Sequence, residues 1–130
     1  MTIYISGKIG EDEISEATRS KFLNAAQVLT REGYEPFNPC DDEWVQLIKA
    51  HYANDAIINS RMGRHIPDFY VYCLLNDMMA ISCTMDGICI LPDWESSPGA
   101  KVELAFAMAT GKKVFELTNE GEIKEKNYHE

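Results

Sequence analysis

Apolar and polar residues follow one another in blocks that are typical of strands alternating with helices. Short apolar or β-rich runs predict strands at Thr2–Ser6, Tyr34–Phe37, Ile88–Leu91 and Lys113–Leu117. Helical spacing and end signals predict helices over residues 13–32, from Asp41 or Asp42 through Ile48, from Asp68 to about Met85, and from Pro98 or Gly99 to Gly111. This alternation indicates an α/β fold, since parallel strands need helical crossovers. We predict a single-domain three-layer sandwich over residues 1–130, Rossmann- or flavodoxin-like, with a parallel four- or five-stranded sheet and helices on both faces.

Two segments carry weaker patterns. Residues 54–67 have no clear period; Arg61–Arg64 is typical of a loop, and Pro67 ends any helix there. From about residue 119 the tail is polar, and we expect it to fray.

Composition and charge narrow the function classes. The formal net charge is −9, which makes nucleic acid polymers poor partners, although helix N-termini still offer local sites for small anions. There is no signal peptide pattern and no apolar run of membrane-spanning length, so we expect a cytoplasmic protein with no membrane partner.

The cysteines and histidines do not indicate a metal site. The four cysteines lack C-x-x-C spacing, and the histidines lack ligand spacing. We therefore expect buried free thiols, no metal and no cofactor.

The segment Ile88–Gly111 carries the strongest candidate chemistry. It contains a buried strand, the loop Ser96–Gly99 and an apolar helix with one acid, Glu103, close to its start. Ligands of open α/β sheets bind beyond the carboxyl ends of the strands, where this loop is expected to lie. The simpler alternatives are a partly exposed Glu103 stabilised by the helix dipole, and a plain N-cap followed by proline.

Further candidates flank this segment. Gly7 and Lys8 follow the first strand in a turn that matches neither a dinucleotide fingerprint nor a phosphate loop. Asp77 interrupts an apolar helix, and Asp86 precedes the third predicted strand; a partly buried carboxyl at such places is a candidate acid. Ordinary turn residues are the alternative for Gly7, Lys8 and Asp86.

Together these motifs resemble the nucleoside 2-deoxyribosyltransferase-like superfamily, and are most similar to a small branch described only as a domain of unknown function. The matching stretches are Ile3–Gly7, Asn38-Pro39, Met85–Ile88 and Leu91–Glu103, in that order. Single positions depart from the branch pattern at Met85, Gly87 and Asp93, and residues 50–70 match least. The resemblance runs from residue 1 to about 117.

The resemblance implies a role for each matching residue. Glu103 corresponds to the nucleophile that attacks the anomeric carbon of the sugar, and Asp77 to the acid that protonates the base. Tyr4 and Gly7 correspond to the sugar and base pocket. Lys8 replaces a small residue of some relatives, and either contacts phosphate or lies in solvent. Lys8, Asp86 and Gly99 complete the predicted substrate-binding residues. Ser97 stands where nucleoside-specific members carry aspartate, and members that act on 5′-monophosphates carry serine there.

The implied activity is cleavage or exchange of the N-glycosidic bond of a (deoxy)nucleoside or its 5′-monophosphate. Such a covalent route needs two carboxyl groups about 5 Å apart, one ionised and one protonated. A non-catalytic nucleotide-binding module and a structural protein on the same fold are the alternatives. Relatives form homodimers or larger homo-oligomers, and the aromatic cluster at 69–72 and Ile57-Ile58 are candidate interface residues or ordinary core.

Overall fold

The residues that the structure describes form one five-stranded sheet with helices on both faces. The computed structural model describes residues 1–9 and 14–126. The sheet order is β2-β1-β3-β4-β5, with β1 at Thr2–Ser6, β2 at Glu35–Phe37, β3 at Gly87–Ile90, β4 at Lys113–Leu117 and β5 at Ile123–Lys126. The first four strands are parallel, and β5 is antiparallel to β4. The predicted α/β fold is confirmed, and this strand order places a topological switch point between β1 and β3.

Four helices connect the strands within the described residues: α1 Glu16–Arg31, α2 Asp42–Arg61, α3 Phe69–Thr84 and α4 Pro98–Ala109, preceded by a 3₁₀ turn at Trp94–Ser96. Asp68 caps α3 by accepting from the amide of Val71, as predicted. The proposed start of α1 at residue 13 lies outside the described residues. None of these helices is long and apolar enough to cross a membrane.

The middle of the chain is more helical than predicted. Helix α2 continues to Arg61, through a segment whose apolar pattern gave no clear signal. Of the 20 residues of this helix, Ile48 is the one classed as buried, which explains why apolar residues do not recur with a clear helical period. A helix that buries so little of its surface does not need a continuous apolar stripe.

The alternation of side chains along β1 divides the core between the two faces of the sheet. Ile3 and Ile5 pack with α1 residues such as Phe22 and Leu29 on one face. Tyr4 packs with residues of α3, α4 and neighbouring strands on the other. Because successive side chains of a strand point to opposite faces, Ser6 shares the face of Tyr4. The face carrying α3 and α4 therefore receives both hydroxyl side chains of β1.

The prediction of a frayed tail is wrong up to residue 126. After a turn in which the amide of Gly121 donates to the carbonyl of Thr118 (3.0 Å), β5 pairs with β4 from Leu117↔Ile123 to Val114↔Lys126. Edge strands commonly carry charged side chains, which prevent pairing with other chains. The polar composition of this segment therefore gave no indication of a strand. Residues 127–130 lie outside the described residues.

The four cysteines are not all buried as expected. Cys40 and Cys89 are buried, Cys73 is partly buried, and Cys83 is exposed on α3. Of the candidate interface residues, Ile57, Ile58 and Tyr70 are exposed. Their role in self-association stays a prediction.

Gly87 marks a close approach between neighbouring strands. A Cβ atom there would lie 2.8 Å from the carbonyl oxygen of Lys113 and 3.2 Å from the side chains of Ile3 and Phe115. We expect Gly87→Ala to lower the free energy of unfolding by about 1–3 kcal/mol, because overpacking forces backbone to move. Urea denaturation monitored by circular dichroism measures this loss of stability. An unchanged midpoint would show that neighbouring strands move apart to accommodate the methyl group at no cost.

Candidate active site

Glu103 is buried and held by two hydroxyl groups. It lies on α4 with 5% of its surface exposed. The phenol of Tyr4 donates to its Oε2 (2.6 Å), and the hydroxyl of Ser6 donates to its Oε1 (2.7 Å). The alternative of a partly exposed glutamate at a helix edge is therefore excluded. Both oxygens of the Glu103 carboxyl group therefore accept hydrogen bonds from side chains of β1.

The pKa of Glu103 is raised above its ordinary value, and the helix dipole is not among the causes. Burial raises the pKa of Glu103, while hydrogen bonding with Tyr4, Ser6 and Asp77 opposes that rise. Glu103 lies beyond the first turn of α4, which contains no acid, so the dipole argument made from the sequence does not apply. Donors from β1 and α3 stabilise the ionised carboxylate instead.

Tyr4 acts as a neutral donor. Its ring is almost fully buried. Burial, followed by the negative charges of Glu103 and Asp77, raises the pKa of Tyr4 well above its ordinary value. The phenol therefore keeps its proton and directs it to Glu103.

Asp77 is the second acid of the site. It lies on α3, partly buried, and lines the same cavity as Glu103. Burial, and next the negative charge of Glu103, raise the pKa of Asp77 well above the usual range for aspartate. Interactions with Tyr4 and Trp44 lower it in part. The two environments favour a protonated Asp77 beside an ionised Glu103, which is the division of roles that acid-base chemistry requires.

The raised pKa of Asp77 makes the fold less stable as the pH rises. The folded state holds the proton of Asp77 more tightly than the unfolded chain does, so stability falls from about pH 4 up through the raised pKa. Asparagine cannot ionise. We expect Asp77→Asn to raise the free energy of unfolding by about 1 kcal/mol above that pKa, as is common when a strained active-site charge is removed.

Urea denaturation at pH 5 and pH 8 tests this expectation. Asp41→Asn is the matched control, because Asp41 is exposed and its side chain makes no capping hydrogen bond. A raised pKa of Asp77 is contradicted if Asp77→Asn is no more stable than the wild type at pH 8, or if Asp41→Asn produces the same gain.

A cavity opens at the carboxyl ends of β1 and β3. Its volume is about 640 Å³, within the range of about 300–1,000 Å³ usual for small-molecule sites. Most of the predicted site residues line it: Tyr4, Gly7, Lys8, Asp77, Ser97, Gly99 and Glu103. The structure thus brings together residues from β1, α3 and α4 at the switch point of the sheet.

The loop before α4 closes one wall of this cavity. Ser97 is buried and caps α4, with its Oγ accepting from the amide of Ala100 (3.1 Å). The N-cap predicted as the simple alternative is therefore present, and the same serine also faces the cavity. A Cβ atom on Gly99 would lie 3.2 Å from the hydroxyl of Tyr70, so a larger residue would push against the tyrosine.

The turn after β1 is fixed to the loop after β3. The amide of Lys8 donates to Oδ1 of Asp93 (3.1 Å), and the ammonium of Lys21 bridges Oδ2 of Asp93 and the carbonyl of Lys8 (2.6 Å each). A Cβ atom on Gly7 would lie 2.7 Å from the side chain of Leu91. Gly7 is therefore required for packing of these two loops, and Lys8 is exposed at the cavity.

Asp86, unlike the other predicted substrate-binding residues, lies outside this cavity. Its Oδ2 accepts from the amide of Thr2 (2.8 Å), and its own amide donates to the carbonyl of Thr2 (2.8 Å). These contacts lie at the amino ends of β1 and β3, at the opposite edge of the sheet from Glu103. Asp86 secures the pairing of the two strands.

Sequence reasoning missed Ser6, Arg19 and Trp44 as site residues. Ser6 contacts Glu103 directly, while Arg19 and Trp44 line the cavity. A signal for Ser6 was available, because Tyr4 and Ser6 occupy alternate positions of a buried strand and so share one face. Trp44 and Arg19 reach the site only through the packing of α1 and α2, which no local pattern reveals.

Among the residues that the structure describes, no group of three or more histidine, cysteine, aspartate or glutamate side chains has an arrangement that could hold a metal ion. The described residues likewise contain no buried side-chain nitrogen or oxygen without a hydrogen-bond partner.

Fold and site together define an α/β protein with a buried and a partly buried carboxyl group at the switch point of its sheet. The model of a family described as a domain of unknown function (DUF4406) matches residues 1–116, and the chain belongs to this family. No curated protein matches the chain significantly.

Proposed function

We propose that this protein cleaves or exchanges the N-glycosidic bond of a nucleoside 5′-monophosphate, with Glu103 as nucleophile and Asp77 as acid. The observation that carries the proposal is the buried Glu103, held by two hydroxyl groups beside a second carboxyl group in one cavity. The resemblance to the nucleoside 2-deoxyribosyltransferase-like superfamily supports the same assignment for both residues.

The first step forms a glycosyl ester. A carboxylate oxygen of Glu103 attacks C1′ of the sugar, and the bond from C1′ to the base nitrogen breaks with its electron pair going to that nitrogen. Asp77 gives its proton to the departing base, which leaves neutral. Tyr4 and Ser6 orient the Glu103 carboxylate for this attack, because each holds one of its oxygens.

The second step releases the sugar. Water attacks C1′, gives a proton to the Asp77 carboxylate and frees Glu103, so the reaction is a hydrolysis. If the nitrogen of a second base attacks instead and gives its proton to Asp77, the same intermediate yields a transfer. Both routes return the two carboxyl groups to their starting charge states.

A 5′-phosphate fits the remaining cavity wall. The N-terminus of α4 supplies positive potential beside the buried Ser97, where Pro98 has no N–H and the amide of Gly99 follows it. Lys8, Arg19 and Lys49 also line the cavity, in a chain whose net charge is −9. An aspartate at position 97 would repel a phosphate, whereas serine is neutral and can donate a hydrogen bond.

The second candidate function is a non-catalytic module that binds a small nucleotide. The same cavity and the Ser97 loop favour it, since neither requires a reaction. The two candidates differ in whether ligand binding leads to release of free base.

Incubation with a panel of nucleosides and 5′-monophosphates tests the proposal, with free base measured by chromatography. We expect base release from monophosphates, and none from them with Glu103→Ala. Each substrate is also incubated with a second base to detect exchange. Absence of release from every substrate, with and without an acceptor base, would reject the enzyme and favour the binding module.

A further inference from the structure

Trp44 stands beside the acid that would protonate the base. It lies in the first turns of α2, partly buried, and lines the cavity together with Asp77 and Glu103. Interaction with the Trp44 side chain lowers the pKa of Asp77 in part. The apolar side chains of Val45, Ile48 and Leu74 line the same cavity.

Two aromatic contacts connect the Trp44 ring with Tyr4, the residue that holds Glu103. It meets Phe37 edge-on, with centroids 5.0 Å apart and an interplanar angle of 79°. Phe37 in turn stacks on Tyr4 at 5.6 Å, and Tyr4 holds Glu103. The aromatic series of Trp44, Phe37 and Tyr4 therefore connects α2, β2 and β1 around the two carboxyl groups.

The start of α2 is anchored independently. Arg19 of α1 forms a salt bridge with Asp42 (2.6 Å), two residues before Trp44, and also donates to the carbonyl of Cys40 (3.4 Å). Because both its backbone and its ring have defined contacts, Trp44 presents a fixed surface to the cavity.

We propose that the nucleobase of the substrate lies against the indole ring of Trp44. This inference rests on the proposed function in one respect, namely that Asp77 serves the base. A base within reach of the Asp77 proton is also next to Trp44. Tyr4 interacts with this carboxyl group too, but its ring is almost fully buried, whereas Trp44 is partly exposed in the cavity. A planar base gains favourable contact from an aromatic surface whatever its hydrogen-bonding pattern.

The fluorescence of Trp44 gives a direct test. The chain has two tryptophans, and Trp94 does not line the cavity, so Trp94→Phe leaves Trp44 as the sole tryptophan, which is excited selectively over the six tyrosines. Deoxynucleoside 5′-monophosphates of the four bases are added in a Glu103→Gln background, which prevents turnover. 2-Deoxyribose 5-phosphate, which has no base, is the matched ligand control, and calorimetry measures binding of each ligand separately.

We expect a saturable change in Trp44 emission with at least one nucleotide, and none with the sugar phosphate. In the matched protein that carries Trp44→Phe and retains Trp94, the emission should not change. Trp44→Leu should raise the Kd of that nucleotide about tenfold or more, whereas Trp44→Phe, which keeps an aromatic ring, should lose less.

Failure of this inference is distinguishable from failure of the proposed function. If a nucleotide binds by calorimetry but Trp44 emission does not respond, or responds equally to the sugar phosphate, the base lies elsewhere, even if the wild type releases base. If Trp44 responds but the wild type releases no base, the base site stands and the protein is a binding module. If no nucleotide binds, both proposals are rejected.

Discussion

Glu103→Gln is expected to lower the rate of base release by at least about a thousandfold while leaving nucleotide binding within a few-fold of the wild type. An amide cannot serve as the nucleophile, so the covalent step is lost rather than slowed. Glutamine has nearly the same shape and keeps a carbonyl oxygen to accept from Tyr4 or Ser6, so the fold should persist. Single-turnover assays of base release and calorimetric titration of a nucleotide measure the two effects.

Glu95→Gln is the matched control for this substitution. Glu95 lies exposed on the 3₁₀ turn before α4, and its replacement changes the net charge by the same amount. We expect it to retain full activity. Undiminished base release by Glu103→Gln would place the nucleophile elsewhere. Loss of release with binding retained would reject the non-catalytic module.

Ser97→Asp is expected to lower kcat/KM for 5′-monophosphates by about a hundredfold and to spare the corresponding nucleosides. The substitution puts a negative charge into the buried cap of α4, where the phosphate is proposed to lie. Repulsion between like charges in a poorly solvated site costs several kcal/mol, and a hundredfold corresponds to about 2.7 kcal/mol. Aspartate is itself a good N-cap, so α4 should remain intact.

Ser96→Asp separates this local effect from the effect of total charge. Ser96 is exposed on the 3₁₀ turn and does not line the cavity, although it is the neighbouring residue. We expect little change in kcat/KM with Ser96→Asp. Equal losses in the two variants would indicate general electrostatic repulsion, and no loss in Ser97→Asp would show that the phosphate binds away from α4.

Local signals explain why much of the architecture was predictable. Ser97 and Asp68 mark helix starts because their side chains accept hydrogen bonds from amides of the first turn. Pro98 suits the first helical position because its ring fixes a helical φ angle and no N–H is needed there. The strands β1 and β4 are short apolar or β-branched runs with the predicted bounds. In contrast, β5 resembles a polar tail, because an edge strand exposes most of its side chains.

The site was predictable where it follows from strand direction and unpredictable where it depends on packing. Glu103 and Ser97 follow β3, so the carboxyl-end rule places them correctly. Asp86 precedes β3, and the same rule, applied strictly, would have excluded it. The contact between Ser6 and Glu103 joins residues 97 positions apart, and Trp44 reaches Asp77 only through the α2–α3 arrangement. No local pattern encodes such contacts.

The stereochemistry of the reaction gives the most direct test of Glu103 as nucleophile. A β-nucleoside 5′-monophosphate is mixed with the protein in the presence of methanol, and proton NMR spectra recorded immediately afterwards identify the first product. A nucleophilic Glu103 implies two displacements at C1′, and therefore retention of configuration. We predict that free base and a β-methyl glycoside appear together, and that both disappear with Glu103→Gln. Formation of the α-product, or base release that does not depend on Glu103, would contradict the central claim.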